Sequence, residues 1–192
     1  MDLTLQILGL TLGLIYLYFE YNADKRMFIV GIVMPMVSMA VYYRRGIYAD
    51  FSLSIYYLLM AVYSYMVWTG LLSPKEKRGK PLPIRHLPLR YVAPLLVALV
   101  LIWGAIAAFL VCFTDSTVPY VDAFTTALSI VTTWVLSRKY IEQWIGWILV
   151  DVISVGLYLY KDIYPYALLY VVYVVAACLG IRKWRKLMAG QG

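Results

Sequence analysis

The chain has 192 residues, of which 64% are hydrophobic and 14% charged, with a mean hydropathy of +0.78 and a formal net charge of +7. Soluble domains are roughly 45–50% apolar and about 25% charged, so this composition excludes a water-soluble globular protein and implies an integral membrane one. A basic balance in such a chain does not imply nucleic acid, because membrane proteins collect Lys and Arg in their cytoplasmic loops.

Seven apolar spans are predicted: Leu3–Phe19, Met27–Tyr43, Phe51–Thr69, Tyr91–Phe113, Pro119–Leu136, Ile141–Tyr160 and Tyr164–Ile181. Each approaches the length of about 20 residues that a helix needs to cross the hydrocarbon. The first two are the shortest and the fifth is the most polar. No basic run precedes the apolar start MDLTLQILGL, so no cleaved signal peptide is expected. Gly70–Arg90 holds Ser73, Pro74, Gly79, Pro81 and Pro83 among basic residues and reads as an exposed linker. The expected division is a three-helix bundle over 1–70, a basic cytoplasmic loop over 71–90, a linking helix over 91–116, and a second three-helix bundle with a basic tail over 117–192.

Charge sets the expected orientation. The side that receives the N-terminus carries only Arg44, Arg45 and Lys161, while the opposite side carries the other 14 Lys and Arg. The positive-inside rule then puts the N-terminus outside and the C-terminus in the cytoplasm.

An internal repeat accompanies this layout. At an offset of 116, Ser38–Tyr48 lies over Ser154–Tyr164 with Ser, Tyr, Ile and Tyr identical, and Tyr57 falls on Tyr173. The second span then matches the sixth and the third matches the seventh. Both halves run the same way through the membrane, an architecture used by transporters with a site near the midplane. The halves differ in chemistry. Pro35, Phe28 and Gly31 stand in the first half where Asp151, Trp144 and Trp147 stand in the second, so the second half supplies most of the polar groups.

The sixth span reads YIEQWIGWILVDVISVGLYLY, with Asp151 in its middle. On a helix, Tyr140, Trp144, Trp147, Asp151, Ser154 and Tyr158 fall on one face. A carboxylate at the bilayer centre costs roughly 2.5–3.5 kcal/mol on insertion scales, so this face points to a polar cavity; the alternative is one structural hydrogen bond from Asp151 to a neighbouring helix. Gln143 reaches the same cavity from the inner side or else is solvated. In the fifth span Asp122, Thr126, Ser129 and Thr133 form a second polar stripe, which serves either the cavity or helix–helix hydrogen bonding. Asp122 also lies where a helix N-terminus favours an anion. In the seventh, Tyr170 and Tyr173 line the cavity, with Tyr166 on their face. Glu142 is expected to pair with Arg138, four residues back.

Several chemistries lack their residues. There is no phosphate-binding glycine loop, the lone histidine, His86, lies in the basic loop, and no lysine lies inside a span. An enzyme is not expected, nor any metal or cofactor. Cys112 and Cys178 lie in apolar runs and read as small buried hydrophobes, unlinked to each other. Indoles beside a buried carboxylate suit a flat organic cation, held by charge pairing and cation–π attraction.

The run SRKYIEQWIGWILVDVISVGLYLY, the preceding VDAFTTALSIVTTWVLSRK and a Tyr-rich span ending GIRKW resemble the PnuC family of bacterial vitamin transporters. The specific element is W-x-x-W-x-x-x-D. Aspartate at Asp151, where riboside carriers have Asn, looks like the thiamine branch, PnuT; Thr133, where riboside carriers tend to have Gln, points the same way. The resemblance implies an all-α, SWEET-like pair of three-helix bundles joined by the fourth span and placed in the bacterial inner membrane. It further implies facilitated diffusion of a cationic vitamin, thiamine first and nicotinamide riboside second, and a cytoplasmic kinase that traps the cargo. Trimers occur in that family. A seven-helix sensor that binds without transporting is the reading from another class.

Overall fold

The computed structural model describes residues 3–45, 48–72, 79–114 and 116–191. Ser73, Pro74, Lys75, Lys77 and Arg78 of the linker, and Gly46 and Ile47 of the repeat, lie outside the described residues. Among the described residues the fold is all-helical. In order come α1 (Leu3–Tyr21), α2 (Met27–Arg45), α3 (Tyr48–Trp68), a single 3-10 turn at Leu89–Tyr91, α4 (Val92–Phe113), α5 (Pro119–Ser137), α6 (Gln143–Tyr160) and α7 (Tyr164–Ala189). Part of α3, the turn with α4, α6 and α7 are each long and apolar enough to cross a membrane. The chain divides into two compact units, Met1–Pro83 and Ile84–Gly192.

In the first unit α2 packs against both α1 and α3. Gly31 permits this: a Cβ there would lie 3.3 Å from the Tyr16 ring of α1 and 3.5 Å from Ala61 of α3. Phe28, at the start of α2, is buried edge-on against Trp68, with ring centres 5.0 Å apart and planes at 89°. Pro35 lies inside α2, which continues through it to Arg45.

In the second unit α6 takes the middle position between α5 and α7, and α4 lines α5. Two glycines set the spacing. A Cβ on Gly146 of α6 would collide with the Thr132 hydroxyl of α5, and one on Gly180 of α7 would lie 2.7 Å from the Trp144 indole.

The offset of 116 recurs in the backbone. The bounds of α1 and α5 differ by 116 residues at both ends, and α2 and α6, like α3 and α7, start 116 apart. Their connections share most of their backbone hydrogen bonds. Ala23 and Lys139 both take left-handed φ, 53° and 59°. Their amides donate to Glu20 and Leu136 carbonyls at 2.9 and 2.8 Å. The Asp24 and Tyr140 amides donate to Phe19 and Val135, and the first amides of α2 and α6, at Met27 and Gln143, donate to Asp24 and Tyr140. Phe28 against Trp68 likewise has its counterpart in Trp144 against Trp184, 5.7 Å and again 89°. A shared hydrogen-bonded turn thus survives where the side chains have diverged.

The linker departs from expectation. Its second half is bound to the α5–α6 connection of its own unit rather than exposed throughout. Ile84 is buried. The Arg85 amide donates to the Lys139 carbonyl (3.3 Å), and the Ile141 amide donates back to the Arg85 carbonyl (3.1 Å). The Arg85 guanidinium lies 5.3 Å from the centre of the Tyr140 ring. Glu142 completes the attachment: it accepts from the Leu87 amide at 2.8 Å and meets His86 Nδ1 at 2.8 Å. The Glu142 carboxylate is thus engaged by the linker, and Arg138 lies over the Trp134 ring at 5.6 Å. Cys112 and Cys178 are both free and exposed, so neither is the buried hydrophobe its apolar context suggests.

Candidate transport site on α6

The polar arc of α6 is also its buried arc. At roughly 100° per residue, Gln143, Trp144, Trp147, Asp151, Ser154 and Tyr158 fall within about a 100° sector. Gln143, Trp144, Asp151 and Ser154 are buried. The opposite sector, Ile145, Leu149, Val152 and Leu159, is about half exposed and wholly apolar. A soluble amphipathic helix has the reverse arrangement; here the exposed face is apolar, as a lipid-facing surface requires, and the polar groups turn inward.

Within that arc the hydrogen-bond demands differ. The Ser154 hydroxyl donates to the Val150 carbonyl at 2.8 Å, so it is satisfied by its own helix. Gln143 is fully buried, and both atoms of its amide have no hydrogen-bond partner among the described residues. The indole N–H groups of Trp144 and Trp147 are also buried without acceptors. Trp144 is held edge-on by Trp184 and rests on Gly180, whereas Trp147 is half-buried. Buried polar groups are usually paired, so three unpaired ones in the first five residues of α6 set this end of the helix apart.

From α7, Tyr170 and Tyr173 both come within electrostatic reach of Asp151. Tyr170 stacks on Tyr158 at 5.3 Å and meets Tyr173 edge-on at 5.7 Å. Tyr166 stacks on the other side of Tyr158, also at 5.3 Å, and is the more exposed end of this aromatic row. Asp151 with Tyr158, Tyr170 and Tyr173 forms one cluster, and Gln143 with Trp144 and Trp147 forms a second. Their nearest members, Trp147 and Asp151, are one helical turn apart, about 6 Å at 1.5 Å per residue, and Gln143 lies about 12 Å from Asp151 along the axis.

The α5 stripe is placed differently. Asp122 accepts from Ser116 Oγ at 2.8 Å and lies 3.6 Å from Lys161 Nζ, just past the end of α6. Lys161 is ten residues beyond Asp151, roughly 15 Å along the helix, so Asp122 is engaged at the far end and not beside the indoles. Thr126, Ser129 and Thr133 each donate to a carbonyl of α5 four residues back, at 2.8 Å. Their donors are spent within the helix, which leaves lone pairs only. Thr132 of α5 is buried and against Gly146 of α6; the stripe of Asp122, Thr126, Ser129 and Thr133 passes over it because it lies on a different face of the helix. Tyr140 precedes α6 and sits in the linker attachment, so it leaves the stripe. Beside it, burial pushes the Lys139 ammonium down to about 8.

The chain matches known proteins along most of its length. A family model described as nicotinamide mononucleotide transporter matches residues 3–186. A relative from Escherichia coli (strain K12) named nicotinamide riboside transporter PnuC is 24% identical over 178 residues, covering 80% of this chain and 73% of the relative. The protein of the same name from Shigella flexneri matches to the same extent. The crystal structure of the vitamin B3 transporter PnuC superposes with a TM-score of 0.69 at 21% identity, over 94% of this chain and 80% of that one, a likeness of fold.

Proposed function

The chain belongs to the nicotinamide mononucleotide transporter family, whose members are membrane transport proteins and not enzymes, and we propose that it carries nicotinamide riboside by facilitated diffusion. The observation that carries this reading is the inward arc of α6, where Asp151, Gln143 and Trp144 are buried beside the half-buried Trp147 on a helix with a lipid-compatible outer face. The pyridinium ring packs against the indoles, which attract cations through their faces. The carboxylate of Asp151 supplies the compensating charge, with Tyr170 and Tyr173 beside it. The names of both curated relatives favour the riboside over thiamine, which the resemblance puts first on Asp151 and Thr133. Thiamine stays as the second reading because Asp151 stands where the resemblance gives riboside carriers Asn.

Two three-helix bundles run parallel in this reading, joined by α4, with the N-terminus outside, the C-terminus cytoplasmic and a cytoplasmic kinase consuming the cargo. The decisive experiment is uptake of labelled nicotinamide riboside and thiamine into empty proteoliposomes without any ion gradient. Riboside should equilibrate and not accumulate. Uptake of thiamine alone would move the assignment to the second reading, and uptake of neither would favour the sensor. Asp151→Asn should lower affinity for the cation about ten- to a hundredfold, the equivalent of losing a charge-assisted contact. Equal affinities in folded protein would make Asp151 structural.

A further inference from the structure

Gln143 is a polar residue of the second unit with no exposed surface and neither amide atom paired. A primary amide closed off in this way loses its water and gains no bond in return. Its two vacant functions are adjacent and opposite in sense, an acceptor oxygen and a donor NH2. A ligand that satisfies both in one contact must also present a donor beside an acceptor. A primary carboxamide has that pattern, and two amides face each other in a planar, doubly hydrogen-bonded pair.

The neighbours fit such a ligand. Trp147 lies one turn on from Gln143 and is the half-buried indole of the arc, so a flat ring laid on it brings a ring substituent to the Gln143 amide. Trp144 is locked between Gly180 and Trp184 and forms a rigid wall. The polar group that a satisfied core residue would use for packing alone is present here in duplicate and unused. In the first unit the equivalent position is Met27, also fully buried and with nothing to pair. The amide is thus a feature of the second unit alone.

We propose that Gln143 is a specificity-determining residue that reads the carboxamide of the cargo through two hydrogen bonds, and so selects the amide over ring cations that lack it. This rests on the riboside reading above. A site built to hydrogen-bond a group discriminates strongly against an analogue without it, because its own polar atoms are then stranded.

The test compares two ligands that share ring, charge, ribose and carbonyl: nicotinamide riboside, and 3-acetylpyridine riboside, which has methyl in place of the amide NH2. Binding is measured by calorimetry on purified wild-type protein and on Gln143→Leu, with folding checked by gel filtration. Wild type should prefer the carboxamide by about tenfold or more. Gln143→Leu should bind both ligands within about twofold of each other. A purely structural role would weaken both ligands alike and leave the preference intact, which would overturn the proposal. Should the leucine variant not fold, Gln143→Met keeps the length of the side chain and carries the same expectation. Wild type that takes up the riboside yet shows no preference also overturns it while the cargo reading stands; wild type that binds neither ligand removes both.

Discussion

Trp144 owes its position to a missing side chain. Gly180 on α7 leaves the space that the indole fills, and Trp184, one turn further along the same helix, meets the indole edge-on. An added methyl would lie 2.7 Å from the ring, closer than packed carbons approach. Gly180→Ala should therefore destabilise the protein by about 1–3 kcal/mol, the usual cost of overpacking, and weaken riboside binding by displacing the indole. Thermal unfolding in detergent reads the first effect and calorimetry the second. Gly156→Ala is the control, since nothing lies within 4 Å of a Cβ there; it should be neutral or stabilising by up to about 1 kcal/mol. A Gly180→Ala protein as stable as this control would show that Trp144 yields freely. Sequence periodicity places Trp144 on the polar face, but not against a glycine 36 residues away, because contacts between helices have no local signature.

The element that the sequence most misleads on is the segment before α4. Proline and basic residues give it the look of a solvated linker, yet 84–87 is bonded to the α5–α6 connection through Arg85, His86 and Leu87. Glu142 accounts for the contrast between the two halves. At the matching place in the first unit stands Arg26, which closes its own turn on Asp24 at 2.6 Å. With Glu142 in its place, the second turn has a free carboxylate that takes an incoming amide instead. The His86 ion pair is largely exposed and contributes little; the Leu87 amide to Glu142 is the stronger tie. Glu142→Ala should speed hydrogen exchange at Leu87 about tenfold, matching the loss of roughly 1.4 kcal/mol. Exchange at Ile141, bonded to the Arg85 carbonyl, should rise less. An unchanged Leu87 rate would mean that the Arg85 bonds hold the segment unaided.

At the scale of the molecule the membrane orientation is the open quantity, and charge alone argues it. If all seven spans cross, 14 basic residues fall on one side and three on the other, and a fluorescent protein that matures only in the cytoplasm should light up when fused to Gly192, with alkaline phosphatase at the same site inactive. Active phosphatase would invert the assignment and move the riboside's entry to the other end of α6.

The membrane class, the helical periods and the inward stripe of α6 were legible in the sequence because each follows from local composition or from spacing along one helix. The 116-residue repeat was faint in side chains and plain in the backbone, since a turn such as Leu136–Gln143 is specified by φ and hydrogen bonding more than by residue type. Only the tertiary structure separated Gln143 from the solvated amides and Asp122 from the site. Burial and partners come from neighbouring helices: a glutamine without a bond and an aspartate bound to Lys161 look alike on a helical wheel, and differ once α5, α6 and α7 are packed.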